Sequence, residues 1–245
     1  MKQRADVLLV ERGLAPTRAR AQALCLSGRV FWGERRIEKP GTQLPVEAEL
    51  ELRGEMRYVS RGGLKLEAAL AALAVVVQDK ICIDVGASTG GFTDCLLQHG
   101  AVKVYAIDVG QGQLAAKLRS DPRVVVRERT NARHSSRTDF EDVAALVVVD
   151  ASFIGLEKLL PAISALLDPG GELVALVKPQ FQVGRDEARK TRGVIRDEAL
   201  RNGAIVLVRD ALAQHGFEVL GGCDSAVPGP KGNVEHFLHA RLGVR

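Results

Sequence analysis

Four side chains stand where chemistry could be done: Lys65, Asp150, Lys178 and Glu235. Asp150 closes the apolar run Val147-Val148-Val149, and Lys178 closes Leu173 to Val177. Lys65 falls at the start of a helical stretch, and Glu235 begins the last apolar run. Open α/β sheets collect their ligands at strand ends, which is where three of the four lie. An ammonium at the end of a wholly apolar strand is costly without a counter-charge, so Lys178 requires a carboxylate, Asp150 or Glu235. Cations clustered in a dry pocket give up a proton more readily, which lets one lysine serve as a base. A buried ion-pair network without chemistry is the alternative reading of the same four residues.

A second constellation surrounds a glycine-rich loop, Asp84-Val85-Gly86-Ala87-Ser88-Thr89-Gly90-Gly91-Phe92, between a predicted strand and a predicted helix. Glycines there let the backbone turn tightly and approach a ligand closely. Dinucleotide enzymes also use such loops, but the spacing here is D-x-G-x-x-x-G and not G-x-G-x-x-G. A carboxylate ahead of the first glycine suits the cationic amino-acid end of S-adenosylmethionine and repels a pyrophosphate. Asp108, at the end of the next predicted strand, can bind ribose hydroxyls. Taken singly, Asp84 reads as a helix cap and Asp108 as a turn residue; at successive strand ends they favour a ligand site. Asn131 is a further donor contact or simply part of a turn.

Strands and helices must alternate to place these residues. Helices are predicted over 64–73, 92–99, 111–119, 156–167 and 197–215. Strands are predicted over 80–85, 102–107, 124–126, 144–150, 172–177, 217–221 and 234–242. Near-continuous apolar strands between amphipathic helices specify a mostly parallel sheet covered on both faces. A Pro/Gly-rich loop joins the last two strands, which makes them antiparallel to each other. Ahead of this α/β body, residues 1–59 read as a small α+β unit, with a linker from about 53, and residues 60–245 as the second domain. The small unit has helices over 5–12 and 18–27, a hairpin turning at Gly33, and a strand over 48–52. Thr17 caps the second helix.

Charge separates the two units. Residues 1–63 hold 12 Lys and Arg against 8 Asp and Glu, while the other 22 basic and 22 acidic side chains balance. A basic module on a neutral body points to a polyanion, although a solvated charged face would look the same. The phosphate-contact candidates are Arg4, Arg18, Arg20, Arg29, Arg35, Arg36 and Lys39. Four scattered cysteines without C-x-x-C spacing indicate reduced thiols and no zinc site. No secretion signal or membrane-spanning run is present, which implies a cytoplasmic protein and removes the basis for a membrane-damaging activity.

With these words in place, the sequence resembles a known family. Lys65, Asp150, Lys178 and Glu235 match the K-D-K-E tetrad of the FtsJ-like ribose 2′-O-methyltransferases. Ser60 to Leu66, Asp84 to Asp94, Val149 to Ile154, Leu176 to Phe181 and Gly232 to Glu235 resemble the TlyA branch, historically labelled haemolysin A. Residues 4–41 are similar to an S4 RNA-binding domain. The resemblance implies a Rossmann-like S-adenosylmethionine-dependent methyltransferase whose mostly parallel sheet ends in an antiparallel strand, preceded by a small α+β S4 domain.

It further implies 2′-O-methylation of cytidine in 16S or 23S rRNA, or both, with rRNA or ribosomal subunits as partners and no obligatory protein partner. Lys178 would then be the general base, oriented by Asp150 and Glu235, and Lys65 would stabilise the developing alkoxide. Asp84, Gly86, Ser88, Gly90, Gly91, Asp108 and Asn131 would hold the donor, and no metal is needed. Arg185, Arg189, Lys190 and Arg192 would clamp the target nucleotide or form a plain surface loop. A non-catalytic RNA-binding protein with a worn-out enzyme fold is the competing reading.

Overall fold

The computed structural model describes residues 1–54, 57–152, 154–183, 191, 194–229 and 232–244. The chain forms two compact units, Met1–Arg61 and Gly62–Arg245. In the first, β1 (Lys2–Arg4) pairs antiparallel with β4 (Gln43–Pro45). Two helices follow β1: α1 (Ala5–Glu11) and α2 (Arg18–Leu26). Thr17 caps α2 by accepting the Arg20 N–H at 3.2 Å. The hairpin β2 (Val30–Trp32) and β3 (Arg35–Arg36) turns at Gly33, whose φ of +56° a glycine adopts without strain. β5 (Leu50–Leu52) completes the three-stranded sheet. Leu8, Leu9, Leu24, Val30, Ile37 and Leu44 form the core. The β1–β4 pair lies outside the sequence expectation, because three-residue strands are too short to show a period.

The second unit begins one residue into α3 (Arg61–Ala72), which starts three residues earlier than expected and so places Lys65 in its second turn. The strands β6 (Ile81–Val85), β7 (Lys103–Ile107), β8 (Val124–Arg127), β9 (Ala144–Val149), β10 (Leu167–Val177), β11 (Phe217–Asp224) and β12 (His236–Leu242) follow. Among the described residues they form one sheet in the order β11-β12-β10-β9-β6-β7-β8. β12 runs antiparallel to both neighbours, and the other ladders are parallel. The mostly parallel sheet with an antiparallel last strand is the one expected.

Between the strands lie α4 (Gly91–Gln98), α5 (Ala116–Arg119), α6 (Leu160–Leu166), α7 (Pro179–Gln182) and α8 (Glu198–Gln214). Two helix expectations are corrected. Residues 111–115 are not helical: the Gly110 N–H goes to the Asp108 carboxylate and the Gly112 N–H to Glu128, which draws both donors away from a helix ladder. The 156–167 segment is a 3₁₀ turn, Leu156–Lys158, followed by α6. Pro161 in the first turn of α6 lacks an N–H and suits a fresh helix start better than an interior.

The chain leaves β6 for β7 on one side, and β9 later returns to the other side of β6. This reversal opens a crevice beyond the ends of β6 and β9. Gly86, just past β6, has φ +87°, and a Cβ there would stand 2.8 Å from the Asp150 carbonyl oxygen. Backbone on the far side cannot swing away as a side chain could. Gly86→Ala is therefore expected to cost about 2–4 kcal/mol, from the left-handed backbone and the collision together. A chemical-denaturation midpoint equal to that of the wild type would contradict this packing.

Candidate active site

The crevice holds a cleft of about 460 Å³, within the range of cofactor sites. The ends of three strands line it: Gly86 and Ser88 after β6, Asp108 after β7, and Asp150 after β9. Asp108 ties two loops together. One carboxylate oxygen accepts the Ser88 N–H at 2.8 Å and the other the Gly110 N–H at 2.7 Å. Ser88 sits at φ +48°, so this hydrogen bond holds a strained turn. Asn131 also lines the cleft, and its side chain accepts the Arg133 N–H at 3.2 Å; it is both a turn cap and a wall residue.

Asp84 is placed differently from the expectation of direct ligand contact. It is 0% exposed, beneath the glycine loop. Its Oδ2 accepts the Thr93 N–H at 2.9 Å and the Thr93 hydroxyl at 2.6 Å, which anchors the first turn of α4. Its Oδ1 is buried without a hydrogen-bond partner. Gly90 and Gly91 are buried at the start of α4. Gly90, at φ +94°, leaves room for Leu118 and Leu114, which a Cβ would meet at 2.2 and 2.8 Å.

The four chemistry-bearing residues form two pairs. Lys178 Nζ lies 2.5 Å from Asp150 Oδ1 and donates to Ser152 Oγ at 2.9 Å. Lys65 Nζ lies 2.5 Å from Glu235 Oε2. Glu235 was expected beside Lys178. The β10–β12 register, Val177 opposite His236, does bring the two backbones together. Its carboxylate nevertheless serves Lys65, reaching α3 across 170 residues of sequence. Glu235 stands one residue ahead of β12, not within it. Ser152 had no assigned role, although a hydroxyl two residues beyond Asp150 is the signal that could have found it. Gln113, Thr130 and Arg133 also line the cleft and were missed.

Of the basic candidates in the first unit, Arg18, Arg35, Arg36 and Lys39 are exposed, and Arg4, Arg20 and Arg29 are half-buried. Arg4 and Arg18 converge on Asp6. Arg36, together with Arg53, flanks the Phe31 ring. Arg185, Arg189, Lys190 and Arg192 lie outside the described residues. Among the described residues, no helix is long and apolar enough to cross a membrane.

Burial pushes the Asp84 carboxyl up to about 7, Asp150 and Asp108 add to the rise, and Thr93 opposes it. Between about pH 4 and 7 the unfolded chain loses a proton that folded Asp84 keeps. Stability therefore falls as pH rises through that window, by up to roughly 4 kcal/mol, and levels off above it. Asp84→Asn removes this contribution. Its melting temperature is expected to fall less between about pH 5 and 8 than that of the wild type; equal falls would show that Asp84 is ionised throughout.

The cleft chemistry fits a nucleoside with a cationic tail: apolar walls from Val85, Ile107 and Leu159, and carboxylates at Asp108 and Asp150. The comparisons agree. The FtsJ-like methyltransferase family matches residues 58–242, and the S4 domain matches residues 3–50. The 16S/23S rRNA (cytidine-2′-O)-methyltransferase TlyA of Mycobacterium tuberculosis is 43% identical over 98% of this chain and 90% of its own. A solved Streptococcus thermophilus structure bearing the hemolysin name is 43% identical, with a TM-score of 0.78 over 99% of this chain and 89% of that one. The N-methyltransferase NodS of Bradyrhizobium japonicum, solved with S-adenosyl-L-homocysteine, shares the fold alone: 16% identity and a TM-score of 0.51 over 74% and 85% of the two chains. Strand order, strand-end cleft and near full-length likeness lead to one conclusion: the chain belongs to the FtsJ-like methyltransferase family, with an S4 domain at its N-terminal end.

Proposed function

We propose that the protein transfers a methyl group from S-adenosylmethionine to the ribose 2′-hydroxyl of a cytidine in rRNA, with its S4 unit binding the structured RNA. The observation that carries this reading is Asp150, which lines the cleft and also holds Lys178 at 2.5 Å. One side chain thus joins the donor site to a proton-handling group. The Mycobacterium tuberculosis relative, named for both 16S and 23S rRNA, supports rRNA as the substrate. A cytoplasmic location follows from that substrate.

When bound, S-adenosylmethionine supplies an electrophilic methyl group on a sulfonium centre. Asp108 would hold its ribose hydroxyls. Gly86 and Ser88 would let the backbone approach it, with Asn131 closing the wall. Asp84, Gly90 and Gly91 would act from below by fixing the loop and the start of α4. Lys178 takes the proton from the 2′-hydroxyl, and Asp150 and Ser152 aim its amine. Lys65, held by Glu235, offsets the charge that develops on the ribose oxygen. The Glu235 Oε1, buried without a hydrogen-bond partner, keeps acceptor capacity at the same place.

Lys178→Arg keeps the charge but cannot give up a proton. It should lose at least about 100-fold in rate while donor binding, read by calorimetry, stays unchanged. Transfer of labelled methyl to 16S and 23S rRNA, followed by mapping of 2′-O-methylcytidine, tests the substrate. An active arginine variant would recast Lys178 as an electrostatic stabiliser, and methyl groups found on bases would overturn the ribose assignment.

A further inference from the structure

Asp6, in the first unit, is the centre of an ion-pair cluster that the methyltransferase chemistry does not use. It lies in the first turn of α1 and its side chain is 0% exposed. Its Oδ1 accepts from Arg4 Nε at 2.9 Å. Its Oδ2 accepts from Arg4 Nη2 at 2.9 Å, Arg18 Nε at 3.1 Å and Gln22 Nε2 at 2.9 Å. Four donors fill the capacity of one carboxylate. The Arg4 guanidinium, ahead of Gln22 and Arg18, holds this carboxyl well below the usual carboxylate range despite its burial. A Cβ at Gly41 would come within 3.0 Å of Arg4 Nη1, so this guanidinium rests against bare loop backbone.

The charges in the cluster do not balance. One carboxylate faces two guanidiniums, which leaves a surplus of one positive charge. A buried carboxylate needs a single good counter-charge, and a second cation beside the first adds repulsion unless an anion arrives. Arg4 Nη1 and both Nη groups of Arg18 make no hydrogen bond among the described residues. The side chains of Arg4 and Arg18 are 42% and 56% exposed, so those donors remain within reach of a ligand.

We propose that Asp6 is a positioning residue that locks Arg4 and Arg18 together as a clasp for one phosphodiester group of the RNA backbone. This rests on the reading of the S4 unit as RNA-binding. Phosphate matches paired guanidiniums in charge and in fork geometry. Fixing both side chains beforehand lowers the entropy lost when RNA binds. Gln22 completes the lock from the next turn of α2 beyond Arg18.

The test measures binding of the full chain to a fluorescein-labelled RNA hairpin over a range of salt concentrations. Asp6→Asn adds one positive charge to the protein, so untargeted electrostatics would tighten binding and steepen its salt dependence. The clasp gives the opposite result: affinity falls about tenfold, and the slope of log K against log salt becomes shallower by about one. Circular dichroism confirms folding at the assay temperature. Equal or tighter binding by the folded variant overturns the proposal. Arg18→Lys, a surface change that keeps the charge, covers a failure of Asp6→Asn to fold. It should bind as weakly as Arg18→Ala, and wild-type affinity would overturn the clasp. The Arg4→Ala/Arg18→Ala double variant separates the two levels. Unchanged binding there refutes RNA contact by this face and the clasp with it. Lost binding there, with Asp6→Asn unaffected, overturns the clasp and leaves RNA contact by this face standing.

Discussion

Lys178 and Lys65 carry their charges buried at one end of the sheet, where little water reaches an ammonium. Each is therefore bound to a carboxylate, and these two pairings organise the surrounding chain. Removing one partner of such a pair leaves a stranded charge, at a cost of about 3 kcal/mol or more. That penalty fixes which loops meet: the turn after β9 brings Asp150, the approach to β12 brings Glu235, and α3 brings Lys65. Gly86 permits the closeness, since any side chain there would collide with the backbone of Asp150. The cleft and the lysines are thus two sides of one packing solution, with Asp150 belonging to both.

Most of the sheet was legible because buried parallel strands are written as unbroken apolar runs. Ala144 to Val149 and Leu173 to Val177 can hardly be anything else once Asp150 and Lys178 bound them. Elements ruled by hydrogen-bond competition were not legible. Residues 111–115 have a helical look, but two of the neighbouring N–H groups are taken by Asp108 and Glu128, carboxylates that a local pattern cannot see. The β1–β4 pair escaped notice because its strands have three residues each and its energy comes from closing the small core.

The site was legible in membership and not in pairing. Residue type and strand-end position pick out the four charged groups, and burial demands that they pair. Two carboxylates were open to Lys178, and the register even sets Glu235 beside it. The choice falls to Lys65 on α3, a helix whose docking on the sheet no local spacing encodes. Asp84 shows the same limit. Its position before Gly86 marks it as important, but only the fold reveals that Thr93 claims one oxygen and that the carboxyl lies under the loop and not at its surface.

Buried carboxylates hold basic side chains in both units, and the ratio of charges distinguishes what each arrangement can do. At the sheet end the ratio is one to one, Lys178 with Asp150 and Lys65 with Glu235. At Asp6 the ratio is two guanidiniums to one carboxylate. Arginine does not lose its proton at any working pH, so that surplus cannot be relieved by titration. Solvent or an anion must screen it, and both guanidiniums are open to either. Under the proposed function, the balanced pairs meet the reacting hydroxyl and the unbalanced cluster meets the RNA backbone. The surplus of basic residues in the first quarter of the sequence, against an evenly balanced remainder, repeats that difference in charge at the scale of the whole chain.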